Sequence, residues 1–519
     1  MAEKDIRDIV NSANVVDFSE ARKTADAEEL DRRLVWYDRN DYGNGQRLIV
    51  RFGENLLYIP GLDWFVWDGK RWHHDTEGMA ARRTAHKVAR AIRDEYKTMN
   101  LRELAEKIQE KEAAVPGGPY EAAAKAIEAH KRWAVNSGNQ ARASAMLGEA
   151  APYIASEAKI LDADDHLLTV ENGTLELASK GAEKSGYVVM REHDRRDRIT
   201  AKAAVTFSPE ATAPTWQRFL ETILPDPEVR LFVQRYYGYV LTGSQGEQCL
   251  CLFYGGGANG KSTLMDVIAD IMGDYSKVLP FASLLHDDKK RGSEASPDLA
   301  RLPGARYVRA SEPDAGVRFS ESLIKTVTGG EEITARMLNK DFFEFRPQFK
   351  LVLAFNNRPS IRGGDHGIWR RIKMVPFEVS IPKEEQDPNL KDKLLAESSG
   401  ILNWMLDGYR DWREKGLAPP AAIAAATEEY KAEQNPLGEF VKDCVQTTEG
   451  ERVSATRLYE VYNRWCEENS HKPMSTTLFG RLLPDQGLTK IKYGVIYYDN
   501  IILSEFAEDL MTPIPAQDA

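Results

Sequence analysis

Residues 254–263 read YGGGANGKST. The run fits G-x-x-x-x-G-K-[ST] from Gly255 to Ser262. It stands between an apolar segment, CLCLF, and an amphipathic one, LMDVIADIMG, so a strand should precede it and a helix should follow. In that setting glycines let successive backbone N–H groups curl around an anion, and the positive end of the helix points at it. Gly255, Gly256, Gly257, Ala258, Asn259 and Gly260 form the expected cradle for ATP. Lys261 would reach the β- and γ-phosphates, Ser262 would place an oxygen on Mg2+, and Thr263 completes the motif.

Such a loop needs an acid to hold the metal and polarise water. The segment LPGARYVRASEPDAG supplies one. Residues 305–310 read as a strand, and Glu312 follows at its carboxyl end, where ligands gather in parallel sheets. Ser311 stands where many sites of this kind have the first of two acids, so Glu312 is expected to serve both the metal's water shell and the catalytic base. In FKLVLAFNNRPSI, residues 349–355 form an apolar strand ended by Asn356 and Asn357. A neutral amide there can orient the attacking water without adding negative charge. A plain turn asparagine is the alternative, and the position after loop and acid favours Asn356 as a sensor. The segment GGDHGIWRRIKMVPF puts Arg370 and Arg371 ahead of a further strand. They are either a solvated pair or, in a ring ATPase, the source of an arginine that stabilises the neighbour's transition state.

The chain has 519 residues, 42% hydrophobic and 29% charged, with a net charge of −11. That length suits roughly three or four domains. The acidic balance excludes a simple basic DNA-coating protein, although a ring that threads DNA needs positive charge only in its channel. No apolar run approaches the roughly 20 residues of a membrane span, and MAEKDIRDIVNSANVVDF lacks the apolar core of a signal peptide. Cys249, Cys251, Cys444 and Cys466 form no paired CxxC sets, so reduced cytoplasmic thiols are expected rather than a zinc site.

Composition divides the chain further. Residues 1–45 read as a polar, mobile lead. Residues 46–165 read as a small β unit, RLIVRFGENLLYIPGLDWFVWDGKRWHHD, followed by helices broken at VPGGPY. Trp64, Trp67 and Trp72 make a hairpin core there in the favoured reading, or a base-stacking surface in the other. Residues 166–245 carry strands with an Asn-Gly turn at 172–173, then helices, the second opened by Pro225 and Pro227. Residues 246–380 alternate short strands and helices, the pattern of an α/β nucleotide-binding core. Residues 381–435 read as helices and an exposed linker. Residues 436–519 read as three helices and two strands around Gly494, the layout of a winged helix. Within 452–493 seven Lys/Arg oppose four Asp/Glu, a local net of +3. Arg481 on the third helix, with Lys490 and Lys492 near the wing, is the expected DNA contact set, with a protein-contact module as the alternative.

In this order the pieces resemble a superfamily 3 helicase, and more closely the phage/plasmid primase-helicase family that includes the poxvirus-type enzymes. FYGGGANGKST, ARYVRASE, LIKTVTGGEEITARMLNKDFFEFRPQFKLVLAFNNRP and DHGIWRRIKMVPF carry the resemblance, with support from ENGTLEL and WFVWDGKRW, over roughly residues 50–500. It implies an AAA+-like ATPase core and assembly into a hexameric ring. It implies ATP-driven travel on single-stranded DNA at a replication origin or fork, in a host bacterium's cytoplasm if a phage or prophage encodes the chain. By position, Lys261 and Ser262 match the family's first motif, Glu312 the second, Asn356 the third, and Arg370 with Arg371 the finger. TGGEEITARMLNKDFFEF matches the motif that builds a DNA-gripping hairpin. The residues themselves read as two strands around Asn-Lys-Asp, which brings Lys340 to the tip and Arg336 nearby as phosphate contacts, or else as an ordinary surface hairpin with a solvated lysine.

Many relatives also carry a primase domain, whose chemistry needs a spaced cluster of metal-binding acids. His73, His74 and Asp75 are merely adjacent, so primer synthesis by this chain alone is not expected, and a primase or other replication proteins are candidate partners. Two other classes fit the loop. An ATP-switched origin-binding or loader protein would hydrolyse slowly without unwinding. A P-loop kinase would need an acceptor pocket and would act without DNA.

Overall fold

The computed structural model describes residues 27–111, 116–177, 188–285, 297–311, 318–338, 342–356, 358–361, 366–469 and 471–511. Helix begins at Ala27, inside the stretch read as a lead, with Ala27–Leu34 followed by Asp41–Phe52. The second of these takes in RLIVRF, which was expected to open the β unit. Its periodicity is helical: Asn40 caps it by accepting from Gly43 N at 2.7 Å, and Leu48 and Ile49 are buried side by side. The β unit is therefore β1 (Leu56–Ile59), β2 (Asp63–Trp67) and β3 (Trp72–His74), an antiparallel meander. Trp64 and Trp72 are buried in it and Trp67 half-buried, which fits the hairpin-core reading. Helices Met79–Glu95, Leu101–Lys111, Pro119–Asn136 and Gln140–Ile154 complete this part.

A buried ion network holds these helices together. Glu95 accepts from Arg47 Nε at 3.0 Å and from Arg51 Nη2 at 3.0 Å, and His130 Nε2 lies 3.5 Å away. Arg47 also donates to the carbonyls of Leu34, Tyr37 and Asp38. A charge this deep is tolerated because every side of it meets an oxygen.

Strands β4 (Leu167–Val170), β5 (Gly173–Leu177) and β6 (Val188–Arg191) form a second antiparallel sheet, and helices Pro214–Ile223 and Pro227–Val240 follow. Next comes a five-stranded parallel sheet of β7 (Leu250–Tyr254), β8 (Ser276–Val278), β9 (Tyr307–Ser311), β12 (Lys350–Phe355) and β13 (Ile372–Pro376), in the order β13-β7-β12-β9-β8. Alternate residues of its strands face opposite layers, as the period of two requires. Cys249, Cys251, Phe253, Val352, Ala354 and Val375 face helices 214–223, 227–240, 261–272 and 398–415, and they share one core with β4 and β5. Leu250, Leu252, Val308, Leu351, Leu353 and Met374 face Phe319, Ile324, Val327 and Tyr430. The chain is thus mixed α/β around a parallel sheet.

Between β9 and β12 the chain makes helix Glu321–Gly329 and the antiparallel pair β10 (Ile333–Ala335) and β11 (Phe343–Phe345), registered Ile333 to Phe345 and Ala335 to Phe343. The hairpin's base shares a core with β1–β3: Ala335 and Phe343 pack among Leu57, Ile59, Phe65 and Trp72. The stretch AAIAAATEEYKAE, expected to be exposed, is a helix (Ala421–Glu433) with Ile423 and Tyr430 fully buried.

The last part has helices Pro436–Cys444, Ala455–Glu468 and Thr476–Leu482 over an antiparallel sheet of β14 (Val445–Ser454), β15 (Thr489–Tyr493) and β16 (Val495–Leu503). β14 was not expected from QTTEGER, whose polar residues give no apolar alternation; only Val453 of that strand is buried. All four cysteines are buried free thiols. No helix of the described residues is long and apolar enough to cross a membrane.

Candidate active site

Tyr254 ends β7, and the glycine-rich loop turns at once beneath β13's exit. A Cβ on Gly255 would lie 2.1 Å from Phe377 O, so only glycine fits there. Gly260 has φ +80°, and a Cβ would meet Ile223 at 2.5 Å. Between them Gly256, Gly257 and Ala258 stand exposed as an arch, and at both glycines a Cβ would find nothing within 4 Å. Buried Asn259 holds the arch, donating Nδ2 to Gly256 O at 2.5 Å and to Phe377 O at 3.4 Å. Ala258 O accepts from Ile381 N at 2.7 Å.

Helix Lys261–Met272 starts at the arch, so about half a positive charge faces that opening. Lys261 is buried, and its ammonium lies inside the curl. It donates to Gly255 O at 2.6 Å, Gly256 O at 3.0 Å, Asn259 Oδ1 at 3.1 Å and Asn356 Oδ1 at 3.3 Å. Ser262 is exposed on the first turn, and Thr263 behind it is half-buried. Open backbone at the apex, a cation within and an amide beside it form a constellation that can hold an anion.

Parallel pairing explains why Asn356 is there. Phe355 sits opposite Tyr254 in the β12–β7 register, so the residues after both strands emerge side by side. β9 pairs with β12 on the other flank, Ala354 opposite Ser311. Glu312 follows Ser311 but lies outside the described residues, as does Lys340.

Arg370 and Arg371 are on the opposite edge. β13 runs parallel to β7 from Ile372 opposite Leu250 to Pro376 opposite Tyr254, so the arginines precede the strand while the glycine loop follows its neighbour. A five-residue strand separates them, roughly 16 Å. The two differ in surroundings. Arg370 is exposed and donates to Gln248 Oε1 at 2.8 Å. Arg371 is buried and donates to Thr328 Oγ1 at 3.1 Å and Gly367 O at 2.7 Å. The hairpin springs from this same edge, since Gly329 O accepts from Gln248 Nε2 at 3.5 Å. Near its tip Arg336 stacks on Phe342 at 4.6 Å, and Leu338 and Phe342 are exposed.

In the last part, Arg481, Lys490 and Lys492 are all exposed. Ser475 caps the helix that carries Arg481 by accepting from Leu478 N at 3.4 Å. In the N-terminal unit, His74 and Asp75 have local roles: the His74 ring stacks on Phe65 and bonds Leu62 O at 2.5 Å, and Asp75 accepts from Ala81 N at 2.8 Å. Burial pushes the His74 imidazole down from its ordinary range.

One group near the site was missed from sequence. Arg358, two residues beyond Asn356, lies over the Tyr254 ring at 4.3 Å and donates to Glu429 Oε1 at 3.1 Å and also to Glu433. The signal was the stripe Ile423, Thr427 and Tyr430 at helical spacing, which marks helix Ala421–Glu433 as packed rather than loose.

Comparison with known proteins finds matches along the chain. The family described as D5 N terminal like matches residues 45–225, and Poxvirus D5 protein-like matches 432–490. A family of unknown function, DUF5906, matches 253–371 between them. "Putative helicase L207/L206" of Acanthamoeba polyphaga mimivirus is 29% identical over 332 residues, 60% of this chain and 34% of that protein. "Putative primase C962R" of African swine fever virus (isolate Warthog/Namibia/Wart80/1980) is 26% identical over 334 residues, again 60% and 34%. The chain thus spans about a third of the length of these curated relatives. The solved C-terminal region of NrS-1 is 15% identical, with a TM-score of 0.41 covering 63% of this chain and 83% of that one, too loose a superposition to transfer any feature. D5 families matched on both sides of the glycine loop, and relatives named helicase or primase, make the chain similar to the D5-type primase-helicases.

Proposed function

We propose that this chain is an ATP-dependent DNA helicase of the superfamily 3 type, working in the replication of a phage, plasmid or virus-like genome as a homohexameric ring on single-stranded DNA. The observation that carries the reading is the split of charged groups across the parallel sheet. Lys261 and Asn356 meet at its carboxyl edge, while Arg370 and the hairpin share the other. Arg370 is about a strand length from its own loop, so its natural target is a triphosphate held by a neighbouring protomer. A monomeric kinase has no use for that arrangement.

In this reading the arch amides and Lys261 bind the β- and γ-phosphates, and Asn356 orients the attacking water. Glu312 takes its proton, and Arg370 stabilises the charge spreading onto the γ-phosphoryl oxygens. Ser262 and Glu312 would hold Mg2+. An exposed hydroxyl on the first turn beside an open arch suits a hard cation that keeps several waters, and the ion would neutralise phosphate charge. Arg336 and Lys340 would track the DNA backbone in the ring's channel, and the last part would act as a winged helix with Arg481, Lys490 and Lys492 toward origin or fork duplex. Primer synthesis falls to a partner protein. The test is ATP turnover with and without single-stranded DNA, alongside Lys261→Ala. DNA-stimulated turnover that the variant loses is expected; a wild type that hydrolyses no ATP in either condition refutes the ATPase reading.

A further inference from the structure

Three strand or helix ends converge on Arg358. Its guanidinium covers the ring of Tyr254, the residue that leads into Gly255. Its own segment continues from Asn356, which touches Lys261. Its charge is taken up by Glu429 and Glu433, one turn apart on helix Ala421–Glu433. Like charges at that spacing repel, and a cation between them removes the penalty. Arg358 thus ties the last turn of this helix to the segment that follows Asn356.

The clamp is broader than one ion pair. Tyr430 donates its hydroxyl to Pro359 O at 2.5 Å, and Ile361 N donates to Gln434 Oε1 at 3.0 Å. Met374 N, in β13, donates to Thr427 Oγ1 at 3.1 Å. Segment 358–361 and β13 are thus fastened to a single helix. That helix runs straight into the last part of the chain through Asn435. Asn435 accepts from Gly438 N at 3.1 Å, capping helix Pro436–Cys444, and donates to Gln486 Oε1 at 3.2 Å, next to the segment that leads into β15.

We propose that Arg358 is a positioning residue that, through Glu429 and Glu433, couples the phosphate site to the C-terminal DNA-binding part. A shift of Asn356 when phosphate arrives moves segment 358–361, and the helix carries that shift to Asn435 and the cap beyond it. DNA held at the far end biases the same helix in return, because coupling between two sites is reciprocal. The inference rests on the ATPase reading above and goes beyond it by naming the element that links the two sites.

The test uses the full chain with Glu429→Gln and Glu433→Gln combined. Both side chains are more than two-fifths exposed, so the fold is expected to survive. Turnover is measured with and without forked DNA, and amide exchange is followed over residues 436–444 with and without ATP. Basal turnover and DNA affinity within twofold of wild type, with stimulation by DNA reduced to near unity and the ATP-dependent change in exchange lost, are the expected results. Arg358→Lys, which keeps the charge but not the planar stack, should fall between. Stimulation and exchange equal to wild type in the double variant overturn the proposal. A wild type that hydrolyses no ATP overturns the ATPase reading and this inference with it, which sets that failure apart from loss of the coupling alone.

Discussion

The ammonium of Lys261 lies 3.3 Å from Asn356 Oδ1, bridging the glycine loop after β7 and the end of β12. Two residues 95 positions apart meet because their strands are parallel neighbours in register. Lysine and amide are therefore held together at the mouth of the glycine loop.

Their removal should separate binding from turnover. Lys261→Ala is expected to abolish both tight ATP binding and hydrolysis. Asn356→Ala should keep ATP affinity within a few-fold and lose about 10²-fold in turnover, the scale seen when one preorganised polar group is removed from a transition state. A fluorescent nucleotide titration beside a phosphate-release assay distinguishes them. Equal loss of binding in both variants would remove Asn356 from the catalytic role.

The loop glycines should not be equivalent. Gly255→Ala pushes a methyl against Phe377 O, and overpacking of that kind typically costs about 1–3 kcal/mol. A lowered Tm and weakened nucleotide binding are expected. Gly256→Ala meets open space, and its Tm should match wild type.

The adjacent arginines should also part company. Arg371→Ala breaks buried bonds to Thr328 and Gly367, and a loss of about 2 kcal/mol in stability is expected on thermal or urea unfolding. Arg370→Ala should leave Tm unchanged and bind ATP, yet lose turnover and poison wild-type rings when mixed in. Normal turnover in Arg370→Ala would refute transfer of this arginine to a neighbour's site.

An acid-dependent term is built into the N-terminal helices. Burial alone would raise the Glu95 carboxyl, but contacts with His130, Arg47 and Arg51 outweigh it and hold the group below its ordinary range. With the folded pKa depressed, the stabilisation is present above the ordinary carboxylate range and is lost as pH falls through the folded value. Tm should therefore begin to drop once the pH falls below the ordinary carboxylate range. Glu95→Gln should start lower at neutral pH and fall less steeply.

If the C-terminal part binds duplex as proposed, Lys490→Ala and Lys492→Ala should weaken duplex binding across sequences. Each should also lower the slope of log affinity against log salt by about one, as expected when a phosphate contact is lost. Arg481→Ala should change preference among duplex sequences if its helix enters the major groove.

The parts that were plain in the sequence were those where one local rule decides the outcome. Gly255 to Ser262 between an apolar and an amphipathic run announces its strand and helix, and Phe349–Phe355 can only be a buried strand. The hairpin's two strands followed from alternation on either side of Asn-Lys-Asp. Other parts depended on distant partners. RLIVRF has β-prone residues, yet Arg47 and Arg51 within it are drawn to Glu95, and their spacing matters only once the helix exists. β14 is made by pairing with β16, not by its own polar residues. Arg370 and Arg371 look identical on paper; Thr328, 43 residues away, decides which one is buried.

Strand displacement from a forked duplex with ATP, compared with a non-hydrolysable analogue and with Lys261→Ala, tests whether the chain is a motor. As a ring motor, wild type with ATP would separate the strands, and neither control would do so. ATP turnover that DNA does not stimulate, with no strand displaced, would contradict the motor.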